Sequence, residues 1–231
     1  MTYFRAIQVF LIAMTLTGIS WAEGNVIKAD FSLDRLGRQP DAFLSFCGGR
    51  GECGRWVTVE DAASHLRAQR AVSQTSMLDN RQNHYAILIY KYGSYRNIDI
   101  ASHVKLENCS KTASAGVVFR YKDPDNYYVI EISCSEGSLT LYKVKDGKRE
   151  VVQRVLMLIK YNDWHELIVR CSEAKVDCLL DGKAMFSAPI GDFWRGKVGF
   201  WTRGDTMASF SGLTMVYYNG KRPIDDMGKT I

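Results

Sequence analysis

The sequence predicts an all-β fold, an antiparallel β-sandwich or jelly roll, and three observations point there. Gly116-Val-Val-Phe-Arg-Tyr121, Tyr127-Tyr-Val-Ile-Glu-Ile-Ser133 and Leu139-Thr-Leu-Tyr-Lys-Val144 are short runs rich in β-branched and aromatic residues. That composition suits a pleated surface packed on at least one side. The gaps between such runs carry turn chemistry: Asp123-Pro-Asp-Asn126, Asp146-Gly147 and Asp181-Gly182. Asp-Gly between strand-like runs is a hairpin signal, because a type I′ turn needs positive φ at both central residues. Similar runs recur at short intervals along most of the chain, as they do in sandwiches and barrels.

In chain order, Ile27-Lys-Ala-Asp-Phe31 reads as the first strand. Residues 37–56, rich in Gly, Arg and Asp, read as a long loop, and Trp56-Val-Thr-Val59 opens the next strand. Residues 60–74 read as a short helix or an irregular excursion, since Asp61-Ala-Ala-Ser-His-Leu66 has helical composition but little amphipathicity. Tyr85-Ala-Ile-Leu-Ile-Tyr90 is a strand, and so is the stretch from Ile98 to Leu106, where Ile98, Ile100, Val104 and Leu106 alternate. Trp164 to Arg170, Gly196 to Trp201 and Ala208 to Val216 complete the set. Residues 218–231, with Gly, Pro and charges, read as a C-terminal tail. Residues 23–217 are the length of one β-sandwich domain, enough to bury a sizeable core without a metal.

The first 22 residues have the pattern of a secretory signal peptide: Arg5, the apolar run from Ala6 to Ile19, then Ser20-Trp21-Ala22. The run is about 14 residues, short of the roughly 20 that cross a bilayer, so no membrane insertion is expected after cleavage. Removing 22 of the 231 residues leaves 209, with 29 Lys and Arg against 25 acids, a net charge of +4. The basic residues are interleaved with acids, which argues against a nucleic-acid partner. All six cysteines, Cys47, Cys53, Cys109, Cys134, Cys171 and Cys178, follow the signal peptide. In an oxidising compartment the expectation is disulfides; Cys-x-x-Cys spacing is absent and the four histidines do not cluster with them, against zinc. Cys47 and Cys53 flank Gly48-Gly-Arg-Gly-Glu52, whose glycines let the chain double back. Hairpin arms centred on Ala174-Lys175 would set Cys171 across from Cys178, leaving Cys109 and Cys134 as the third pair.

Several motifs taken together resemble the concanavalin A-like jelly-roll domains of exported bacterial proteins. They are Gly116 to Tyr128, Leu141-Tyr-Lys-Val-Lys-Asp-Gly-Lys-Arg149, Trp164-His165, Leu180-Asp-Gly-Lys183 and Gly196-Lys-Val-Gly-Phe-Trp-Thr-Arg-Gly-Asp205. The resemblance covers about residues 26–217. It is similar to laminin-G-like modules and to the exported family labelled 3-keto-disaccharide hydrolase. It implies the fold, and it leaves lectin, enzyme and adhesion roles open. Family 16 glycoside hydrolases share that architecture and carry Glu-x-Asp-x-x-Glu on one strand, since retaining hydrolysis needs two carboxyls about 5–5.5 Å apart. Here Glu131 is followed two residues on by Ser133, and the pattern is missing.

Period-two alternation picks out a candidate ligand face. With Phe119, Ile130 and Ile132 claiming the core, Arg120, Glu131 and Tyr142 point to the other side of the sheet. A guanidinium donates to sugar hydroxyls or a carboxylate, and a carboxylate accepts from vicinal hydroxyls. Trp201 offers a ring face for a sugar, Arg203 and Asp205 follow it on or just beyond the same strand, and Asn80 and Arg81 lie between two strands. His165 reads as a strand residue, and Asp123 to Asn126 as a plain turn with no calcium site. No catalytic residue, cofactor or metal is expected. The chain reads as a periplasmic or secreted carbohydrate-binding module; the alternatives are a glycoside hydrolase-like enzyme and an envelope protein-interaction domain.

Overall fold

The computed structural model describes residues 24–49, 53–61, 69–77 and 84–219. The proposed signal peptide, most of the C-terminal tail, and Asn80 with Arg81 lie outside the described residues. Fifteen strands follow in chain order: β1 (Asn25–Ala29), β2 (Phe43–Gly49), β3 (Trp56–Glu60), β4 (Arg70–Gln74), β5 (His84–Tyr90), β6 (Asn97–Leu106), β7 (Ser114–Asp123), β8 (Asn126–Ser133), β9 (Ser138–Lys145), β10 (Lys148–Leu156), β11 (Trp164–Ser172), β12 (Lys175–Leu180), β13 (Lys183–Pro189), β14 (Lys197–Arg203) and β15 (Ala208–Tyr218). They form two sheets. One has the order β13-β12-β11-β6-β15-β4-β3, with β1 also on β15; the other runs β10-β9-β8-β7-β14-β5-β2. Every pairing between strands is antiparallel, so the expected all-β sandwich is what forms.

The alternation of apolar side chains explains why the sheets stack. Val117, Phe119, Ile130, Ile132, Leu139 and Leu141 on one sheet meet Ile98, Ile100, Val104, Leu106, Leu167 and Val169 on the other. Phe200 of β14 stacks on Phe210 of β15 with centroids 4.4 Å apart, clamping the sheet centres together. Both Asp-Gly turns adopt positive φ at each residue, 50° and 71° at Asp146-Gly147 and 50° and 73° at Asp181-Gly182. Asp123 to Asn126 is held by its own first residue, whose carboxylate accepts from Asp125 N–H and the Asn126 amide. That local capping is the physical basis of the turn.

Three expectations need correction. The supposed loop 37–56 contains β2, whose residues Phe43 to Gly49 pair in full with β5. Phe43 faces the core there and Phe46 the outer side, so the strand was present as a short alternation among turn-forming residues. Likewise the 60–74 excursion ends in a strand, β4, paired with β3 and β15.

Third, Cys171 and Cys178 are free and buried, whereas Cys47–Cys53 and Cys109–Cys134 are disulfides with Cα separations of 4.9 and 5.8 Å. The β11–β12 turn is centred one residue earlier than expected, on Glu173-Ala174. Cys171 therefore faces Val176, and Cys178 faces Val169. Burial pushes the Cys171 thiol up to about 11, against the pull of Arg120, and raises that of Cys178 as well. Thiols so placed react slowly, because the thiolate is the reactive form. Maleimide labelling without reductant is expected to mark no cysteine in the native chain and two after denaturation. A denatured chain with no label would restore the third disulfide.

Candidate functional site

The outer face of the β10-to-β2 sheet is not a solvated surface. A cross-strand row runs Phe46–Ile87–Trp201–Gly116–Glu131–Thr140–Arg154, one residue per strand. Beside it a second row carries Ile89, Gly199, Val118, Val129 and Tyr142. Tyr85, Tyr121, Tyr127, Tyr142 and Trp201 join Ile87, Ile89, Val118, Val129 and Val144 in a second apolar cluster on this side. Gly116 separates Trp201 from Glu131 without a side chain; a Cβ there would fall 1.9 Å from the Ile130 carbonyl oxygen. Small size at this position lets β7 and β8 close up.

Glu131 is wholly buried, and the arginine that neutralises it is Arg149, with Nη2 2.5 Å from Glu131 Oε2. Register explains the reach. The Asp146-Gly147 turn pairs Arg149 with Val144, which shares the outer side with Tyr142. From there the Arg149 side chain folds back over the sheet. Its guanidinium carbon lies 3.4 Å from the Tyr142 ring centroid, 5.1 Å from that of Trp201 and 5.8 Å from that of Tyr85. A guanidinium over aromatic faces gains cation–π attraction, which grows as water is excluded. Burial works against the Arg149 charge, but Glu131 and Tyr142 more than offset it, and its pKa is raised.

A second ion group adjoins this one. Arg203 donates to Glu136 Oε1 at 2.8 Å, and Arg154 donates to Glu136 Oε2 at 3.3 Å and to the Tyr142 hydroxyl at 2.6 Å. Ser114 Oγ donates to Glu131 Oε2 at 3.3 Å. Five buried polar atoms of the face make no hydrogen bond, namely Glu131 Oε1, Arg149 Nε and Nη2, Arg203 Nε and Tyr121 Oη, although Arg149 Nη2 is ion-paired with Glu131. Among the described residues, no three His, Cys, Asp or Glu side chains gather as a metal site would require.

The sequence-derived candidates divide. Glu131, Tyr142, Trp201 and Arg203 do share one face, as alternation required. Trp201, however, is no open stacking platform: it is 0% exposed, its ring stacks on Tyr85 at 5.1 Å, and its Nε1 donates to the Tyr127 hydroxyl. Arg120 leaves the group altogether. On β7 three steps separate Val118 from Tyr121 where β14 takes two, from Gly199 to Lys197, so β7 bulges at Arg120. Its φ of 48° and the close approach of Gly196 mark the same bulge.

A bulge reverses which side the following residues face. Arg120 accordingly turns inward, 2% exposed, and donates to the carbonyls of Phe193, Arg96 and Glu173. Arg120 and Glu131, expected on one face of the sheet, therefore do not meet. Asp205 also leaves the group: its carboxylate accepts from Ser110 Oγ and Thr112 Oγ1, and its carbonyl from the Asn108 amide, tying down the loop that carries Cys109. His165 bridges Asp181 and the Lys160 carbonyl within the other sheet. Sequence reasoning missed Arg149, Arg154, Glu136, Tyr85 and Tyr121, although counting from the Asp-Gly turn would have put Arg149 on the Tyr142 side.

No protein-family model and no curated protein sequence matches this chain. Solved structures do match in fold. A carbohydrate-binding module, CBM66 from Bacillus subtilis, superposes with a TM-score of 0.57 at 18% identity, over 73% of this chain and 99% of that one. Domain 4 of AbnA, an extracellular arabinanase of Geobacillus stearothermophilus solved with arabinotriose, gives 0.57 at 14% identity, over 85% and 94%. A Bacillus subtilis protein of unknown function with a galectin-like fold gives 0.60 at 9% identity, over 88% and 99%. These likenesses are of fold, and the fold is a jelly-roll β-sandwich.

Proposed function

We propose that the chain is an exported, non-catalytic carbohydrate-binding module that holds a glycan on the outer face of the β10-to-β2 sheet, around Arg149 and Glu131. The observation that carries this reading is the partly open polar group beside this face, where Arg154 and Glu136, 38% and 30% exposed, meet Arg203 and the Tyr142 hydroxyl. Sugars present apolar ring faces and hydroxyls together, and such a mixed surface matches both. The module from Bacillus subtilis and the arabinotriose-bound domain carry the same fold, which fits this use of it. Binding without catalysis accords with how the carboxylates are committed, Glu131 to Arg149 and Glu136 to two arginines. The pattern of residues 1–22 and the two disulfides fit a periplasmic or secreted protein.

A glycan array probed with the mature, oxidised protein and with Glu131→Gln tests the proposal. Glutamine keeps the shape and can still bond Arg149 but leaves that charge without a counterion, so thermal unfolding of the variant is measured first and binding is read at a temperature where it is folded. Its binding signal should fall by about tenfold or more, the cost of a lost charged hydrogen bond. An array on which the wild-type protein binds nothing, or binding unaffected by Glu131→Gln, rejects this face as a sugar site.

A further inference from the structure

We infer that the sugar held on this face is a carboxylated one, a uronate or another acidic residue rather than a neutral saccharide; the inference rests on the carbohydrate reading above. Three guanidiniums, those of Arg149, Arg154 and Arg203, share only two carboxylates, Glu131 and Glu136. One positive charge is therefore left over within the group. The distribution of exposure sharpens the imbalance. Glu131 is sealed beneath Arg149, whereas the Arg149, Arg154 and Arg203 side chains keep 13%, 38% and 12% of their surface open, against 30% for Glu136. Arg154 is the most open member, so an approaching ligand meets its guanidinium together with the less exposed Glu136 carboxylate.

The geometry of those edges favours a planar anion. Arg203 lies opposite Tyr85 in the ladder, and Arg149 sits 5.8 Å from the same ring, so both cations flank one aromatic side chain. Their Nε atoms are sealed from solvent, so the edge most open to a ligand is that of the neighbouring Arg154, 38% exposed. A guanidinium edge is a fork that a carboxylate can meet with two parallel bonds, a match that neutral hydroxyls do not reproduce. The Glu136 carboxylate, 30% exposed, is an acceptor that a sugar hydroxyl beside the carboxylate can reach. Field direction agrees: Asp123 and Asp125 stand near Tyr121, at the far end of β7 from Ser114, the partner of Arg203, and leave the arginine end positive.

The test is calorimetric titration of the mature protein with matched polysaccharides. The panel comprises polygalacturonate, alginate, hyaluronan and a sialylated glycan, the carboxyl-reduced form of each, and a sulfated galactan lacking carboxylates. Binding confined to carboxylated members, lost on carboxyl reduction and weakened about tenfold or more by Arg203→Gln, is the expected result. Salt should weaken it too, since the Debye length shortens to about 8 Å near 0.15 M. Equal binding of the reduced, neutral forms overturns the acidic preference and leaves the carbohydrate reading standing. Binding of the sulfated galactan alone also overturns it, showing selection by charge without carboxylate geometry. No binding to any polysaccharide, here or on the array, removes both.

Discussion

Replacing Arg120 with alanine is expected to destabilise the protein by roughly 3–5 kcal/mol, the range for losing one partner of a buried charged network. For a domain of about 200 residues that corresponds to a melting temperature lower by roughly 10 °C or more. The cause is specific. Arg120 sits in the bulge of β7 and turns between the sheets, where it donates to carbonyls of Phe193, Arg96 and Glu173. These come from three separate segments, so one side chain closes that end of the sandwich. Removing it strands three carbonyl oxygens at once. Arg120→Lys should recover only part of the loss, because a single ammonium cannot reproduce the spread of a guanidinium. Thermal unfolding measures it, and a change below about 1 kcal/mol, the size of an exposed pair, would return Arg120 to the surface role that alternation suggested.

The second large effect concerns Arg149. Arg149→Met leaves the Glu131 carboxylate, 0% exposed, without its counterion, and should also cost about 3–5 kcal/mol. Adding Glu131→Leu in the same chain should restore much of it, since an apolar pair of similar volume replaces an ion pair with little net loss. A double-mutant cycle by urea denaturation is expected to give a coupling of about 2 kcal/mol or more. Additivity within about 0.5 kcal/mol would mean the two side chains do not meet in solution. Chemical denaturation suits this pair because the midpoint shift reads the stability directly.

These two arginines show how far the sequence reaches. Arg120 was assigned to the ligand face by counting alternate residues from Phe119, and that count holds only on an uninterrupted strand. A bulge at Arg120 adds one residue and reverses the count, and no local feature of Phe-Arg-Tyr announces it. The bulge exists because the ladder with β14 and the close approach of Gly196 accommodate it. Cys171 and Cys178 failed in a similar way: moving a turn by one residue moves each strand partner by two.

What the sequence determined by itself was local: strand composition, period-two faces, and the Asp-Gly turns with their positive φ at Asp146, Gly147, Asp181 and Gly182. From these came the antiparallel sandwich, and Glu131, Tyr142, Trp201 and Arg203 on a shared side. Two disulfides were legible as well, one from a glycine-rich loop and one by elimination. The tertiary structure alone decided which charges meet. Glu131 and Arg149 lie on strands two apart in the sheet, and their pairing depends on how far a long side chain can fold over the Tyr142 ring. It also decided that Trp201 is enclosed, because Tyr85 and Arg149 come to it from strands on either side of β14. Alternation fixes the side a residue faces, but burial and ion pairing depend on which strands lie next to one another. Sheet order comes from long-range packing, which a strand's own residues do not encode.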